Sequence, residues 1–242
     1  MHKRTMTLFA GALILLFGLT AIAGAATMKN LDSRQAAMIP IAAFTATGNL
    51  EKLKPALQDG LEAGLTINEI KEVLVQLYAY CGFPRSLNSL NTFIAVLDDR
   101  AAKGIKDTLG KDASPIPSEK SRREYGTEIQ TGLIGRPAAG RTYEFAPIID
   151  DFLKVHLFAD IFLRDVLNHQ ERELVTISAL ASMSGTANQL RSHLNVSLNT
   201  GLTEEQLRDF VTILGAKVGT AESETASKVL DAVLENRKAV AK

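Results

Sequence analysis

The chain carries one helical pattern twice, at a constant offset of 137 positions. Residues 53–82 read LKPALQDGLEAGLTINEIKEVLVQLYAYCG, and residues 190–219 read LRSHLNVSLNTGLTEEQLRDFVTILGAKVG. Aligned without a gap, the two stretches share leucines spaced four apart, which lie on one face of a helix. The repeat predicts two helical units of the same topology, and no other feature of the sequence constrains the fold as strongly.

Each copy has the tripeptide Gly-Leu-Thr at its centre, at residues 64–66 and 201–203. Glycine just after a helix adopts the left-handed conformation, and threonine then caps the next helix. Glu69 and Gln206 follow the two threonines by three residues, which completes a capping box in both copies. Each copy is therefore predicted to contain two helices joined by a tight turn.

The rest of the chain also has helical periodicity, and no strand is predicted. We expect helices at about 33–47, 49–63, 66–81 and 84–103 in the first copy, and at 169–184, 186–200, 203–218 and 220–240 in the second. Residues 104–118 contain two glycines and two prolines and are predicted to be a linker. A helix from Ser118 to about Leu133 and an amphipathic helix from about Phe145, broken near residues 157–160, should follow. The expected organisation is all-α, with a first unit at 31–103 and a second at 119–240.

The first 25 residues have the pattern of a cleaved signal peptide. His2, Lys3 and Arg4 precede an apolar stretch at residues 8–19, and small residues suited to cleavage lie at 21–25. The alternative, a transmembrane anchor, is disfavoured because the apolar stretch is shorter than the ~20 residues that a span needs. We therefore expect a periplasmic or secreted protein without a stable membrane anchor.

Composition excludes several classes of protein. Hydrophobic residues make up 46% of the chain and aromatic residues 6%, with no tryptophan, which indicates a core of packed aliphatic side chains. The formal net charge is zero, so no basic surface for nucleic acid is expected. Cys81 is the single cysteine and cannot form an intrachain disulfide. It follows an apolar helix, and we expect it to be buried.

The motifs in both copies resemble the carboxymuconolactone decarboxylase family. In the first copy the resemblance rests on Gly-Leu-Thr-x-x-Glu-Ile-Lys-Glu-Val-Leu and Tyr-Cys-Gly-Phe-Pro-Arg, and in the second on Glu-Leu-Val at 173–175, Leu-Arg-Ser-His-Leu at 190–194 and Asn-Thr-Gly at 199–201. It covers about residues 31–100 and 145–235. It implies a duplicated alkylhydroperoxidase D-like helical bundle with two pseudo-symmetric units, and a homo-oligomer, most simply a trimer.

The peroxidase branch of this family carries Cys-x-x-Cys with a histidine four residues past the second cysteine. Counted back from His193, these positions hold Gln189 and Thr186, and the first copy has Lys52 and Asn49 there, with Ala56 in place of the histidine. Neither pair can form the thiolate that thiol-peroxidase chemistry needs. An alkylhydroperoxidase or peroxiredoxin activity is therefore disfavoured.

The decarboxylase branch acts on a lactone that bears a carboxylate, and the resemblance implies no metal and no organic cofactor. Loss of carbon dioxide calls for a cation, a proton donor and an apolar pocket. The candidate catalytic residues are His193, which aligns with Ala56, and Glu173; the candidate substrate-binding residues are Arg191, Arg85, His156 and Tyr80.

Three functions remain open from the sequence. The first is an exported enzyme with lyase or isomerase chemistry on a small anionic substrate, carboxylated or lactone-like. The second is an exported, non-catalytic oligomer that binds or scaffolds, in which His193 and His156 would only pack. The third is the disfavoured thiol peroxidase.

Overall fold

The computed structural model describes residues 30–240, and every regular element in this range is helical. The α-helices are α1 Ser33–Thr47, α2 Leu50–Glu62, α3 Ile67–Gln76, α4 Tyr78–Cys81, α5 Phe83–Ala102, α6 Arg122–Ile134, α7 Arg141–Phe145, α8 Pro147–Asp151, α9 His169–Ser182, α10 Ala187–Asn199, α11 Glu204–Ile213 and α12 Thr220–Val240, and two π-helices span Phe152–Phe162 and Leu214–Val218. The all-α prediction is confirmed. The predicted signal peptide lies outside the described residues. No helix between residues 30 and 240 combines the length and the apolarity needed to cross a membrane.

The turn at the centre of each copy forms as the sequence predicts. The backbone N–H of Glu69 donates to Thr66 Oγ1 at 3.2 Å, and the N–H of Thr66 donates back to Glu69 Oε2 at 2.8 Å. Thr203 and Gln206 make the same pair of bonds at 3.0 and 3.2 Å. The glycines two residues before these threonines have φ values of 93° and 96°, so both copies turn in the same left-handed way.

Helices α1 and α9 hold equivalent places in the two copies and pack against each other at the centre of the molecule. Ile39 of α1 belongs to the apolar core of the second copy, while Val175 and Ala179 of α9 belong to the core of the first. All three side chains are fully buried. Because each core is completed by a helix of the other copy, neither unit buries its apolar surface alone.

The segment between the copies differs from its prediction at two points. Helix α6 is capped by Ser121 rather than Ser118, because the Glu124 side chain, three residues after Ser121, returns a bond to the Ser121 backbone and completes a capping box. The expected break at 157–160 is wrong, since the π-helix runs on to Phe162. The chain breaks earlier, at Ala146, because the following Pro147 disfavours helical backbone there.

Helix α6 and the π-helix Phe152–Phe162 lie in unusually close contact. A Cβ added at Gly126 would lie 1.7 Å from the backbone oxygen of Lys154, so only glycine permits this approach. The contact places Leu157, Phe158 and Leu133 in a third apolar cluster beside α10.

A buried ionic network joins the two copies. The fully buried guanidinium of Arg172 on α9 donates to Glu72 Oε2 of α3 at 3.1 Å and to Gln76 Oε1 at 3.0 Å. Arg164 also donates to Glu72, at 2.7 Å from Nη2 to Oε1. Burial alone would raise the pKa of Glu72, but the hydrogen bonds from Arg164 and Arg172 outweigh it, and the pKa lies below its ordinary value of 4.5. The network therefore stabilises the fold above that pH and loses its contribution as the pH falls through the lowered pKa.

Substitution of Glu72 tests this network. Glu72→Gln should lower the free energy of unfolding by about 3–5 kcal/mol, because it leaves the buried charge of Arg172 without a counter-charge. Urea denaturation followed by circular dichroism measures the change. Asp99→Asn is the matched control, since it removes the carboxylate of a solvent-exposed pair with Lys54. Similar losses in the two variants would show that the buried network has no special weight.

Candidate active site

A cavity of about 900 Å³ opens to solvent beside the second copy, between α10 on one side and α6, α7, α8 and the π-helix on the other. This volume lies in the range of small-molecule sites. One wall is apolar and consists of Leu133, Ile134, Ile149, Leu153, Leu157 and Phe158, and Val196 of α10 adds to the apolar lining. The remaining lining includes amides, two arginines and the candidate pair Glu173 and His193. The cavity thus combines an apolar surface with a few polar groups, as ligand sites commonly do.

Glu173 and His193 form a hydrogen-bonded pair on the cavity surface. Glu173 Oε2 lies 2.9 Å from His193 Nδ1, with the glutamate side chain 1% exposed and the histidine 19% exposed. Glu173 comes from the buried helix α9 and His193 from the middle of α10. The equivalent positions in the first copy are Ala36 and Ala56, so the pair occurs in the second copy alone.

The geometry of the pair fixes what His193 can do. An ionised Glu173 accepts a hydrogen bond from Nδ1–H, which leaves Nε2 to take up or release a proton. Nε2 has no hydrogen-bond partner among residues 30–240, and neither has the buried Glu173 Oε1. The arrangement can therefore serve as a general acid or base with a fixed ring orientation.

Tyr80 supports the ring of His193 from the side. The two ring centroids are 5.7 Å apart and nearly perpendicular, in an edge-to-face contact. The Tyr80 hydroxyl is buried and has no hydrogen-bond partner in the described part of the chain. Burial raises the pKa of Tyr80, and the charge of Glu173 raises it further, so the phenol stays neutral. Tyr80 does not line the cavity, so its ring packs behind the histidine and is not placed to contact a ligand.

Like Tyr80, the other three predicted substrate-binding residues lie outside the cavity lining. Arg191 is exposed on α10, where two residues of separation from His193 place it about 200° around the helix. Arg85 is exposed on α5, with Nη1 4.0 Å from Met183 Sδ. His156 is half-exposed, and its Nδ1 lies 2.9 Å from Asp160 Oδ2 in the next turn. Proximity to the motifs along the sequence therefore does not predict which residues line the cavity.

The cavity instead contains two arginines that the sequence reasoning missed. Arg136 follows the end of α6, and Arg237 lies in the last turn of α12. No motif surrounds either residue, and Arg237 is separated from His193 by 44 positions. Only the packing of α12 against α10 could have revealed it.

The structure also shows the surroundings of the residues that thiol-peroxidase or metal chemistry would need. Cys81 ends α4 and is only partly buried, in contrast to the expected full burial, and its thiol donates to the Leu77 carbonyl oxygen at 3.1 Å. Burial raises the pKa of this thiol, which makes it a poor nucleophile. The Thr186 hydroxyl donates to Leu180 O at 2.6 Å and to Met183 O at 2.8 Å. Within residues 30–240, no three His, Cys, Asp or Glu side chains are grouped as a metal site.

Comparison with known proteins agrees with the duplicated architecture. The model of the family described as "Carboxymuconolactone decarboxylase family" matches residues 16–94 and 149–232. The chain is 24% identical over 123 residues to "4-carboxymuconolactone decarboxylase" of Acinetobacter baylyi, an alignment that spans 49% of this chain and 91% of that protein. It is 28% identical over 179 residues to "Peroxisomal protein 2" of Schizosaccharomyces pombe, over 70% of this chain and 79% of that protein. The two matched regions contain the two copies of the repeat, and the chain belongs to the carboxymuconolactone decarboxylase family.

Proposed function

We propose that the protein is a decarboxylase-like lyase that acts on a small carboxylated or lactone substrate through the acid–base chemistry of His193 and Glu173. The observation that carries the proposal is the hydrogen-bonded pair at the surface of a partly apolar cavity. The alanines at both equivalent positions of the first copy support it, because the same helical framework packs there without either polar side chain.

In the proposed reaction, the bond between the carboxylate carbon and the neighbouring carbon breaks and carbon dioxide leaves. The bonding electrons stay on the substrate, where a conjugated carbonyl can hold them. A protonated His193 then delivers its Nε2 proton to the substrate carbon. Throughout, Glu173 accepts a hydrogen bond from Nδ1–H and stabilises the cationic ring. Solvent at the open side of the cavity returns the proton to the neutral imidazole.

The apolar wall contributes to the same reaction. Leu153, Leu157 and Phe158 remove water from one side of the substrate, and electrostatic interactions are stronger where water is excluded. A carboxylate against these side chains is poorly solvated, whereas the carbon dioxide that it forms is neutral. The wall therefore favours the product side of the bond-breaking step.

The relative from Acinetobacter baylyi supports decarboxylation as the proposed reaction. That protein is named as a decarboxylase, and the alignment spans 91% of its length. The identity of 24% leaves the substrate to be determined by this chain's own cavity.

Replacement of the proton donor tests the proposal. His193→Ala should reduce turnover by about 10²–10⁴-fold, the usual contribution of a general acid or base, with unchanged fold and oligomeric state. Carbon dioxide release from a panel of lactones and cyclic carboxylic acids measures turnover, and circular dichroism measures folding. His156→Ala is the control, since that histidine lies outside the cavity lining. Full activity in His193→Ala would remove the pair from the mechanism, and ligand binding by the wild type without any turnover would favour a binding protein.

Cys81 should be dispensable for this activity. Cys81→Ser should keep wild-type turnover, and the native thiol should react slowly with an aromatic disulfide reagent, because burial disfavours its thiolate. Absorbance of the released thiolate, compared with the urea-unfolded protein, measures the rate. Rapid labelling, together with peroxide consumption that Cys81→Ser abolishes, would support the peroxidase alternative.

We also propose that the mature protein is exported and works as a homo-oligomer. The amino-terminal sequence pattern supports export, and exposed apolar side chains on α5 support self-association: Phe83, Leu87 and Ile94 are 62%, 54% and 56% exposed. Multi-angle light scattering of residues 26–242 should give the mass of a trimer. A monomer mass at micromolar concentration would contradict the oligomer.

A further inference from the structure

The charged groups of the cavity are distributed unevenly. Among the described residues, Glu173 is the one acidic side chain that lines it, and that carboxylate already faces His193. Arg136 and Arg237 line the same cavity, and no described carboxylate lies within 4 Å of either guanidinium. The cavity therefore has an excess of positive charge, carried by two solvent-exposed arginines.

Arg237 is oriented by a chain of hydrogen bonds. Its Nη1 donates to Asn199 Oδ1 at 3.1 Å and, at 3.4 Å, to the backbone and side-chain oxygens of Asn195. The Asn199 amide nitrogen donates in turn to the last carbonyl oxygens of α6, those of Leu133 at 3.0 Å and Ile134 at 3.2 Å. Helices α12, α10 and α6 thus meet at Asn199, which satisfies the carbonyl groups that would otherwise repel an anion.

We propose that Arg237, positioned by Asn199, binds a carboxylate of the ligand and so orients it against His193. The proposal rests on the proposed function in one respect, the role of His193 at the other end of the ligand. Arg237 Nη1 is used by the two asparagines, while Nε and Nη2 have no acceptor among residues 30–240. These two nitrogens lie on one edge of the guanidinium and match the two oxygens of a carboxylate.

The carboxylate at Arg237 can be assigned from its separation from His193 along α10 and from the energetics of carbon dioxide loss. Asn195 and Asn199 lie two and six residues beyond His193, which is about 3–9 Å along the helix axis at 1.5 Å per residue. A carboxylate paired with a guanidinium is stabilised in the ground state, and this opposes its loss as carbon dioxide. The carboxylate at Arg237 is therefore the retained one, and the ligand is an anion whose reacting carbon is separated from this group by an apolar body.

A pair of matched probes tests the subsite by binding alone. Isothermal titration calorimetry would compare 4-phenylbutyrate with its uncharged amide on the full mature protein. The wild type should bind the acid more tightly than the amide. Arg237→Gln should weaken binding of the acid by about 2–5-fold, because Arg237 is exposed and exposed ion pairs are screened by solvent, and leave the amide unchanged. Arg191→Gln, which removes an arginine of α10 outside the cavity lining, should behave as the wild type.

Asn199→Asp provides a second test of the subsite. The new carboxylate would pair with Arg237 and compete with the ligand, so affinity for the acid should fall although Arg237 is still present. If Arg237 serves only to tie α12 to α10, then Arg237→Gln will lower the melting temperature and leave the ratio of acid to amide affinity unchanged, which would overturn the proposal. Equal affinities of the wild type for the two probes would also overturn it.

The outcome is independent of the proposed function. His193→Ala should retain the preference for the acid, because the carboxylate contacts Arg237. If that variant keeps both its turnover and its preference for the acid, the proposed mechanism fails and the carboxylate subsite stands. If turnover is lost in His193→Ala while Arg237→Gln binds the acid as tightly as the wild type, the subsite fails and the mechanism stands.

Discussion

The packing of α1 against α9 is the contact on which the rest of the structure depends. Each of these helices completes the core of the other copy, and α9 is buried along nearly its whole length. Two adjacent residues of α9 then serve different purposes. Arg172 enters the network with Glu72 that joins the copies, while Glu173, about 100° further around the helix, reaches His193. The same helix therefore positions both the contact between the copies and the carboxylate that meets His193.

Within the described residues the pair of Glu173 and His193 occurs once, because the two copies differ in side chains and not in helix order. Ala36 and Ala56 occupy the places of Glu173 and His193 and are buried without polar groups. The wall opposite α10 is built by α6 and the π-helix, which belong to the segment between the repeats. The repeat supplies the scaffold, and this intervening segment supplies the apolar surface and Arg136.

The sequence predicts features that depend on neighbours along the chain. The capping boxes at Thr66 and Thr203 and the paired glycine turns follow from local chemistry, and the structure has both. His193 stood out because its counterpart in the repeat is Ala56. The motif that contains His193 also made Arg191 a candidate for substrate binding, but the helical period places Arg191 on a face of α10 turned away from the cavity. Arg237 reaches the cavity through the packing of α12 on α10, which no local pattern contains.

Two buried polar atoms next to His193 bear on why the pair exists. Glu173 Oε1 and the Tyr80 hydroxyl have no hydrogen-bond partner within the described range, and leaving such a group unpaired costs about 1–3 kcal/mol. A histidine kept for packing would not need this arrangement, since the first copy packs with two alanines at the same places. Glu173 belongs to the cavity lining, where an unpaired polar atom can interact with a ligand, whereas the Tyr80 hydroxyl lies behind the histidine. The two alanines of the first copy thus show that helix packing at these positions does not require the pair, which supports the role proposed for it.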